Sequence, residues 1–300
     1  MTMPFIARDE VTWQLGPTFE APVVEFNGTD AWGVDWVLEG TPEGWNADTV
    51  DVQMDNRSGD GAVPGTGRRE ARVLTVRGAL RGTYAADVEA AVERLKLACE
   101  CFNNDAVLAH TGPSPKFVTV RRTGKLLYDF VGRRGATFSF VLTAGDPYKY
   151  AAGSAGLITK TVGLPQLAGL PGITFGPEGS RFPWDFGGGM PQTGRIAAAN
   201  PGNVPVAPAV LFQGPVTFPE LRHLGQSSFM KVNQQLLAGE ELLVDHRGRS
   251  IRKANSSLFS SRAVGATFFT LRPGANDLRF TAASFNPDAR VTVQYRPRWS

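Results

Sequence analysis

The side chains of this sequence that are able to do chemistry are few. A nucleophilic triad needs a base beside its nucleophile, and the histidines of the 300 residues are His110, His223 and His246. None has a Gly-x-Ser-x-Gly elbow nearby, and each sits close to turn residues, so all three read as ordinary surface or turn histidines. Cys99 and Cys101 lie two apart in a helical stretch, where their side chains diverge; they form neither a disulfide nor half of a zinc site. Acidic and histidine side chains nowhere take metal-ligand spacing, and Gly65-Thr-Gly67 lacks the third glycine and the lysine of a phosphate loop. Carboxylates that hydrolyse sugars need be close only in space; the nearest group, Glu240, Glu241 and Asp245, is more simply the solvated start of a strand. Trp32, Trp36, Trp45 and Trp184 have faces that stack on sugar rings, with core or interface packing as the competing role. The expectation is no catalytic residue, no cofactor and no metal, hence a structural or binding protein.

One further cluster, "DPYKY", gathers Asp146, Pro147, Tyr148 and Tyr150 around a lysine. It reads either as a binding site or as a strand ending stiffly at a border. Pro147 donates no ladder hydrogen bond and biases Asp146 away from helix, so the strand "TFSFVLTA" should stop here. The tyrosine rings would then cap the end of a sandwich while their hydroxyls reach water. The cluster is taken as a border marker.

The elements that position these residues are mostly strands. Thirty-four glycines and 21 prolines punctuate short apolar runs, the pattern of an all-β chain, and 42% hydrophobic residues suffice for a real core. A net charge of +3, without a long basic run, gives no footprint for nucleic acid. The pairs Arg68-Arg69, Arg121-Arg122 and Arg133-Arg134 lie next to turns and suit solvated loops or contacts between subunits. With no basic segment leading an apolar core in "MTMPFIARDE", and no apolar run of membrane-spanning length, the chain is expected to fold in a cytoplasm without disulfides.

Three regions follow. In the first, residues 1–150, Val50, Val52 and Met54 alternate with Asp51, Gln53 and Asp55, which predicts a half-buried strand. The loop "NRSGDGAVPGTGRRE" exceeds an ordinary hairpin connection and reads as mobile or as an arm ordered by a partner. "RVLTVRGAL" resumes a strand with Leu74 and Val76 on one face. Val88, Val92, Leu95, Cys99 and Phe102 form one stripe of a helix that must lie on a sheet and that ends at Asn103-Asn104-Asp105. "KFVTVRR" and "ATFSFVLTA" are the next strands. In the second region, 151–205, glycine and proline interrupt every few residues and predict a partly extended connector. The third, 206–300, shows short strands at close intervals, "PAVLFQG", "SFMKVNQ", "ELLVDHRGRSI", "TFFTLRPG", "LRFTAAS" and "RVTVQYRPRW", the sequence of a β-sandwich without helix. Pro273-Gly274 suits the centre of a type II turn, and Asp245 to Gly248 suits a hairpin.

This order of features resembles the distal tail protein family of long, non-contractile-tailed bacteriophages. The likeness spans nearly the whole chain. It is carried by Asp146-Pro147-Tyr148 after "FSFVLTAG", by Gly202 to Pro208 with the strand that follows, by Gly239-Glu240 leading to Val244-Asp245, and by Leu271 to Asn276. The resemblance implies a tail-tube-like β-sandwich with one flanking helix over 1–150, then a galectin-like or carbohydrate-module-like sandwich over 206–300. It implies a hexameric ring at the tail tip of the virion, assembled in the host cytoplasm. Such a ring joins the tail tube protein to the hub and to fibre or receptor-binding proteins, possible contact with the tape measure protein included. DNA passes through its bore without specific binding, and neither membrane nor catalysis is involved. The loop arm, with Arg68, Arg69, Glu70 and Arg72 as pairing charges, is the candidate subunit interface, because a closing ring needs a heterologous contact. The alternative function is binding of host cell-wall carbohydrate by the last region.

Overall fold

Alternation of apolar and polar residues turns most of the chain into strand. The computed structural model describes residues 11–47, 49–56, 60–100, 105–164, 194–284 and 286–300. It divides into two units, Met1–Gly156 with Trp299–Ser300, and Leu157–Arg298.

The first unit contains β1 (Trp13–Gly16), β2 (Val24–Phe26), β3 (Gly28–Thr29) and β4 (Asp35–Leu38), then four short strands, β5 (Val50–Asp51), β6 (Met54–Asn56), β7 (Ala62–Pro64) and β8 (Arg68–Arg69). It continues with β9 (Arg72–Arg81), the helix α1 (Ala85–Cys99), β10 (Ala106–His110), β11 (Lys116–Phe130), β12 (Gly135–Ala144) and β13 (Lys149–Ala151). The main sheet runs in the order β2-β1-β10-β11-β12-β9-β4-β3. The first residues of β11 pair with β10 and β13, its later ones with β12. One long strand is thereby shared by two parts of a sandwich-like fold, with the register shifting between Thr123 and Leu127. The sequence placed only "KFVTVRR" in this strand; it runs on to Phe130.

Helix α1 buries Val88, Ala91, Val92, Leu95, Ala98 and Cys99, the predicted stripe with its alanine neighbours. Each large side chain buried there contributes roughly 1.5–3 kcal/mol. The Asp87 carboxylate accepts the Tyr84 N–H at 2.9 Å and so closes the first turn. Cys101, Phe102 and Asn103-Asn104 lie outside the described residues. Phe26, Trp36 and Phe138 meet edge-on or tilted, with centroids 5.7–6.0 Å apart, and give the core its aromatic centre.

The second unit is a sandwich of two sheets. Six strands run in the order Ile158–Gly163, Arg290–Tyr295, Ala209–Gln213, Glu241–Asp245, Ser250–Lys253, Ser256–Ser257; four run Arg195–Asn200, Gly274–Thr281, Glu220–His223, Ser228–Lys231. Phe212 of the first sheet meets Phe280 of the second at 5.9 Å within one buried cluster. The two ends of the stretch expected as connector are strands here, "ITKTVG" and "RIAAAN", which pair with residues 290–295 and 274–279. Residues 165–193 of that stretch lie outside the described residues. "TFFTL" forms no strand; its Leu271 makes an isolated antiparallel bridge with Val206. Gly274 adopts φ +90°, the value a type II turn requires after Pro273, and the Asn276 amide holds the turn by hydrogen bonds to the Arg272 N–H and C=O.

His223 and His246 are buried, which corrects their reading as surface or turn residues. Both pack on Phe269, at 5.8 and 4.4 Å between ring centroids. His246 Nδ1 accepts the Phe269 N–H at 2.9 Å, so the ring is held neutral and burial presses its pKa down to about 4. With Nδ1 accepting, the neutral ring carries its proton on Nε2, which is buried without a partner among the described residues, and its place in the core rests on packing against Phe268 and Phe269.

Candidate functional site

Between β4 and β9 the chain leaves the sheet and returns as a hairpin arm. Val50 and Asp51 pair with Arg69 and Arg68, and Met54, Asp55 and Asn56 pair with Pro64, Val63 and Ala62. Between the two short ladders the Gly65 N–H donates to the Gln53 carbonyl at 2.8 Å. Residues 57–59 lie outside the described residues.

The sequence predicts one wet and one dry face for Val50, Val52 and Met54. Instead Val50 is 49% exposed, Met54 61% and, across the ribbon, Val63 41%. The alternation is present, but among the described residues its apolar side stays exposed. An isolated two-stranded ribbon is marginal in water, and both its edges carry unpaired backbone groups. Val50, Val52 and Met54 are exposed along one side of this ribbon, with Pro64 opposite Met54, while Val63, opposite Asp55, is exposed on the other side.

The root of the arm, by contrast, is locked. Glu43 and Thr75 exchange two backbone hydrogen bonds at 2.9 and 3.0 Å. Gly44 takes φ +87°, and a Cβ placed on it would lie 2.0 Å from the Val73 carbonyl oxygen, so only glycine fits. Trp45 is buried edge-on against Trp13 at 4.8 Å, with the His110 ring 5.9 Å away. Burial, with the charges of Lys116 and Lys149 adding to it, lowers the His110 pKa.

Arg72 is the bolt. It was expected among the exposed pairing charges, yet it is only 5% exposed. Its Nη1 donates to the carbonyls of Gly44 at 2.9 Å, Trp45 at 2.8 Å and Ala47, and its Nε donates to Pro147 at 2.8 Å. A guanidinium has enough N–H groups in one plane to serve several carbonyls at once, and an ammonium has not. The correction has a simple cause: β9 alternates, and position 72 falls on the same inward face as Leu74 and Val76.

The border marker and the arm thus come together, which the sequence did not indicate. Pro147 receives Arg72, and the guanidinium of Arg69 lies 5.4 Å over the Tyr148 ring. The neighbouring Lys149, also buried, donates to the Trp45 carbonyl at 3.2 Å. Asp146 accepts the Tyr148 N–H at 3.2 Å and the Tyr150 hydroxyl at 2.6 Å, and the Tyr150 ring packs 5.8 Å from Phe117. Strand β12 ends at Ala144, one residue before this knot. Arg68 and Glu70 stay exposed on the arm.

Sequence reasoning missed a second apolar face in this unit. At the far end of β11 the side chains of Leu127, Tyr128, Phe130 and Val131 are exposed. Tyr128 and Phe130 meet edge-on at 5.9 Å, and Lys96 of α1 lies 4.9 Å over the Tyr128 ring. The available signal was "KLLYDFV", apolar on both alternating faces of a strand that has only one face to bury.

The remaining candidates for chemistry are dispersed. Trp36 and Trp45 are core residues, and Trp32 is exposed with Arg94 stacked 4.1 Å over it. Trp184 lies outside the described residues. Glu240 pairs with Lys253 at 2.8 Å and Glu241 accepts from Gln213 at 2.9 Å, so these carboxylates are engaged separately. Asp30 accepts from Trp36, Val34, Trp32 and Arg94; burial raises its pKa, but those four donors outweigh it and the net shift is downward. Among the described residues no three His, Cys, Asp or Glu side chains could hold a metal ion, and no helix is long and apolar enough to cross a membrane. A small open cleft of about 140 Å³ is lined by residues 38–43 and 75–77 at the arm's root.

Residues 201–299 match the family model of the siphovirus-type tail component, C-terminal domain. The fold is similar to that of the SPP1 Dit protein, described as a paradigm of the hub adsorption apparatus in phages that infect Gram-positive bacteria. The TM-score is 0.61 at 17% identity, over 88% of this chain and 93% of that one. A chain of the phage p2 baseplate in its activated conformation with Sr aligns at a TM-score of 0.50 and 9% identity, over 95% of this chain and 98% of that one. No curated protein sequence matches. The resemblance to the siphophage distal tail family is borne out by the family model and by the fold, and the mainly β architecture with it. A structural component of a phage tail is the coarse function that follows.

Proposed function

We propose that copies of this chain close into a hexameric ring at the tip of a siphophage tail. The ring joins the tail tube protein to the hub and to fibre or receptor-binding proteins, meets the tape measure protein, and leaves a bore through which DNA passes without specific binding. The first unit makes the contacts between copies and the second carries contacts to other tail-tip proteins. Assembly takes place in the host cytoplasm before the tail is complete.

The observation that carries this reading is the arm. Its root is fixed by Arg72, Lys149 and Gly44, while its outer part offers Val50, Val52, Met54 and Val63 to solvent. A rigid root with an uncovered apolar ribbon suits a contact in which the arm of one copy lies on a different surface of the next, the heterologous geometry that closes a ring. The patch at Leu127, Tyr128, Phe130 and Val131 is the complementary surface in this proposal. Arg68, Arg69 and Glu70 sit where the arm leaves the sheet and set the register of the contact.

The test is the mass distribution of the purified full chain, alone and with the tail tube protein, by mass photometry. Wild type should form hexamers at high concentration or on the tube, and the double variant Val50→Asp, Met54→Asp should stay monomeric with an unchanged melting temperature, because neither side chain is buried within the chain. A double variant that assembles like wild type would remove the arm from the interface.

A further inference from the structure

Residues 246–276 contain five arginines and one lysine and no aspartate or glutamate. Of the acids that flank the stretch, Asp277 pairs with Arg195 at 2.7 Å, outside it, while Asp245 caps its start by accepting the Arg247 N–H at 2.9 Å. Within the stretch, Lys253 meets Glu240. The net charge that this part of the second unit presents is therefore strongly positive, although the chain as a whole is nearly neutral.

The stretch also has a distinct place in the fold. Ser256–Ser257 is the last strand of the six-stranded sheet, and the Leu258 N–H still donates to the Ile251 carbonyl. The chain then makes a short turn at Phe259–Ser261 and crosses to the outer strand of the other sheet. There Ala263 and Thr267 donate to the carbonyls of Lys231 and Phe229, at 3.0 and 2.8 Å. It forms a strap across one open side of the sandwich. Ala266 and Phe269 point inward and are buried. On the outer side Val264 is 100% exposed and Phe259 47%. The rings of Phe259 and Phe268 lie nearly parallel, 6.1 Å apart, and the Arg262 guanidinium sits 5.3 and 5.9 Å from their centroids.

An arginine stacked on aromatic rings keeps the edge of its fork available for a carboxylate. An apolar centre with an arginine stacked on it, in a stretch whose other arginines are exposed, has the composition of a protein interface core and its rim. Charge alone would serve any polyanion; a fully exposed valine beside an aromatic pair adds something that only a partner with apolar side chains uses.

We infer that this strap is a docking surface for an acidic protein partner, a segment that places aspartates or glutamates around one or more apolar side chains. The inference rests on the reading above that the chain is built into a tail, where such a partner is at hand. The experiment replaces Val264 by p-benzoylphenylalanine in the full chain, in assembled tail particles, with adducts identified by mass spectrometry after irradiation. The expected adduct joins position 264 to a peptide of a different protein in which Asp and Glu outnumber Lys and Arg. Adding Arg262→Glu and Arg249→Glu, both at exposed positions, should cut its yield about tenfold or more through charge reversal at the rim. An adduct only to another copy of this chain, an adduct peptide without acidic excess, or no adduct in particles that contain the protein overturns the inference. So does cross-linking that requires added poly(glycerol phosphate), which would mark the strap as a polyanion site. Absence of the protein from the particles is a separate result; it refutes the tail reading and the inference falls with it.

Discussion

Arg72→Met tests whether this residue belongs to the inside of the first unit or to its interface with a neighbour. The guanidinium serves four carbonyls, those of Gly44, Trp45, Ala47 and Pro147. Each acceptor left without a donor in a buried place costs about 1–3 kcal/mol, but some of the four can reach water when the arm's root loosens. The substitution also removes the cost of burying a charge. Weighing these terms gives a net loss of about 4 kcal/mol, or a fall of roughly 10 °C in the melting of a unit of this size. Differential scanning calorimetry of the full chain should show the transition of the first unit falling while that of the second stays in place. Near-ultraviolet dichroism identifies the transition, since Trp13, Trp36 and Trp45 are buried in the first unit. Arg72→Lys should recover part of the loss, because an ammonium has fewer donors and no planar fork. If Arg72→Met changes the stability of the first unit by less than about 1 kcal/mol and weakens assembly instead, the carbonyl cage is wrong and the residue is the interface charge that its sequence neighbours suggest.

Two further substitutions test the packing of the first and of the second unit. Gly44→Ala should cost more than about 2 kcal/mol in the first unit, measured by chemical denaturation, because its φ of +87° and the Val73 carbonyl 2.0 Å from a Cβ both oppose a side chain. In the second unit, His246 titrates near 4 when folded against an ordinary 6.5, so the unfolded chain takes up the proton first as pH falls. Stability should therefore be full above about pH 6.5, decline by about 3 kcal/mol on acidification through pH 4, and level off below. His246→Gln should flatten that part of a denaturation–pH profile, and an unchanged slope would refute the assignment.

How much of this was legible beforehand depends on what decides each residue's environment. Periodicity is local, so the stripe of α1 and the inward faces of β9 and β12 could be read directly: Leu74, Val76, Phe138, Phe140 and Leu142 are all buried. The same rule failed at Val50, Val52 and Met54, because alternation reports which side of a strand is apolar and not whether anything covers it. That difference motivates the proposed contact between copies, since among the described residues the strand's apolar side stays exposed. Buried polar residues failed for the opposite reason. Arg72, Lys149, His223 and His246 look solvated by type, and each is inside only because distant carbonyls, amides or rings reach it: Arg72 reaches Pro147 across 75 positions, and His223 meets Asn276 across 53. Composition predicts the average fate of a residue type, while the hydrogen-bond partners that make burial tolerable are set by topology. The arm's charges and the DPYKY border were each visible in the sequence, but that Arg69 and Arg72 close on Tyr148 and Pro147 follows from β9 lying beside β12 in the sheet, so that Arg72 is placed opposite Ala144. The root of the hairpin arm is thereby tied to the segment that follows the last long strand, through Arg72 on Pro147 and Arg69 over Tyr148.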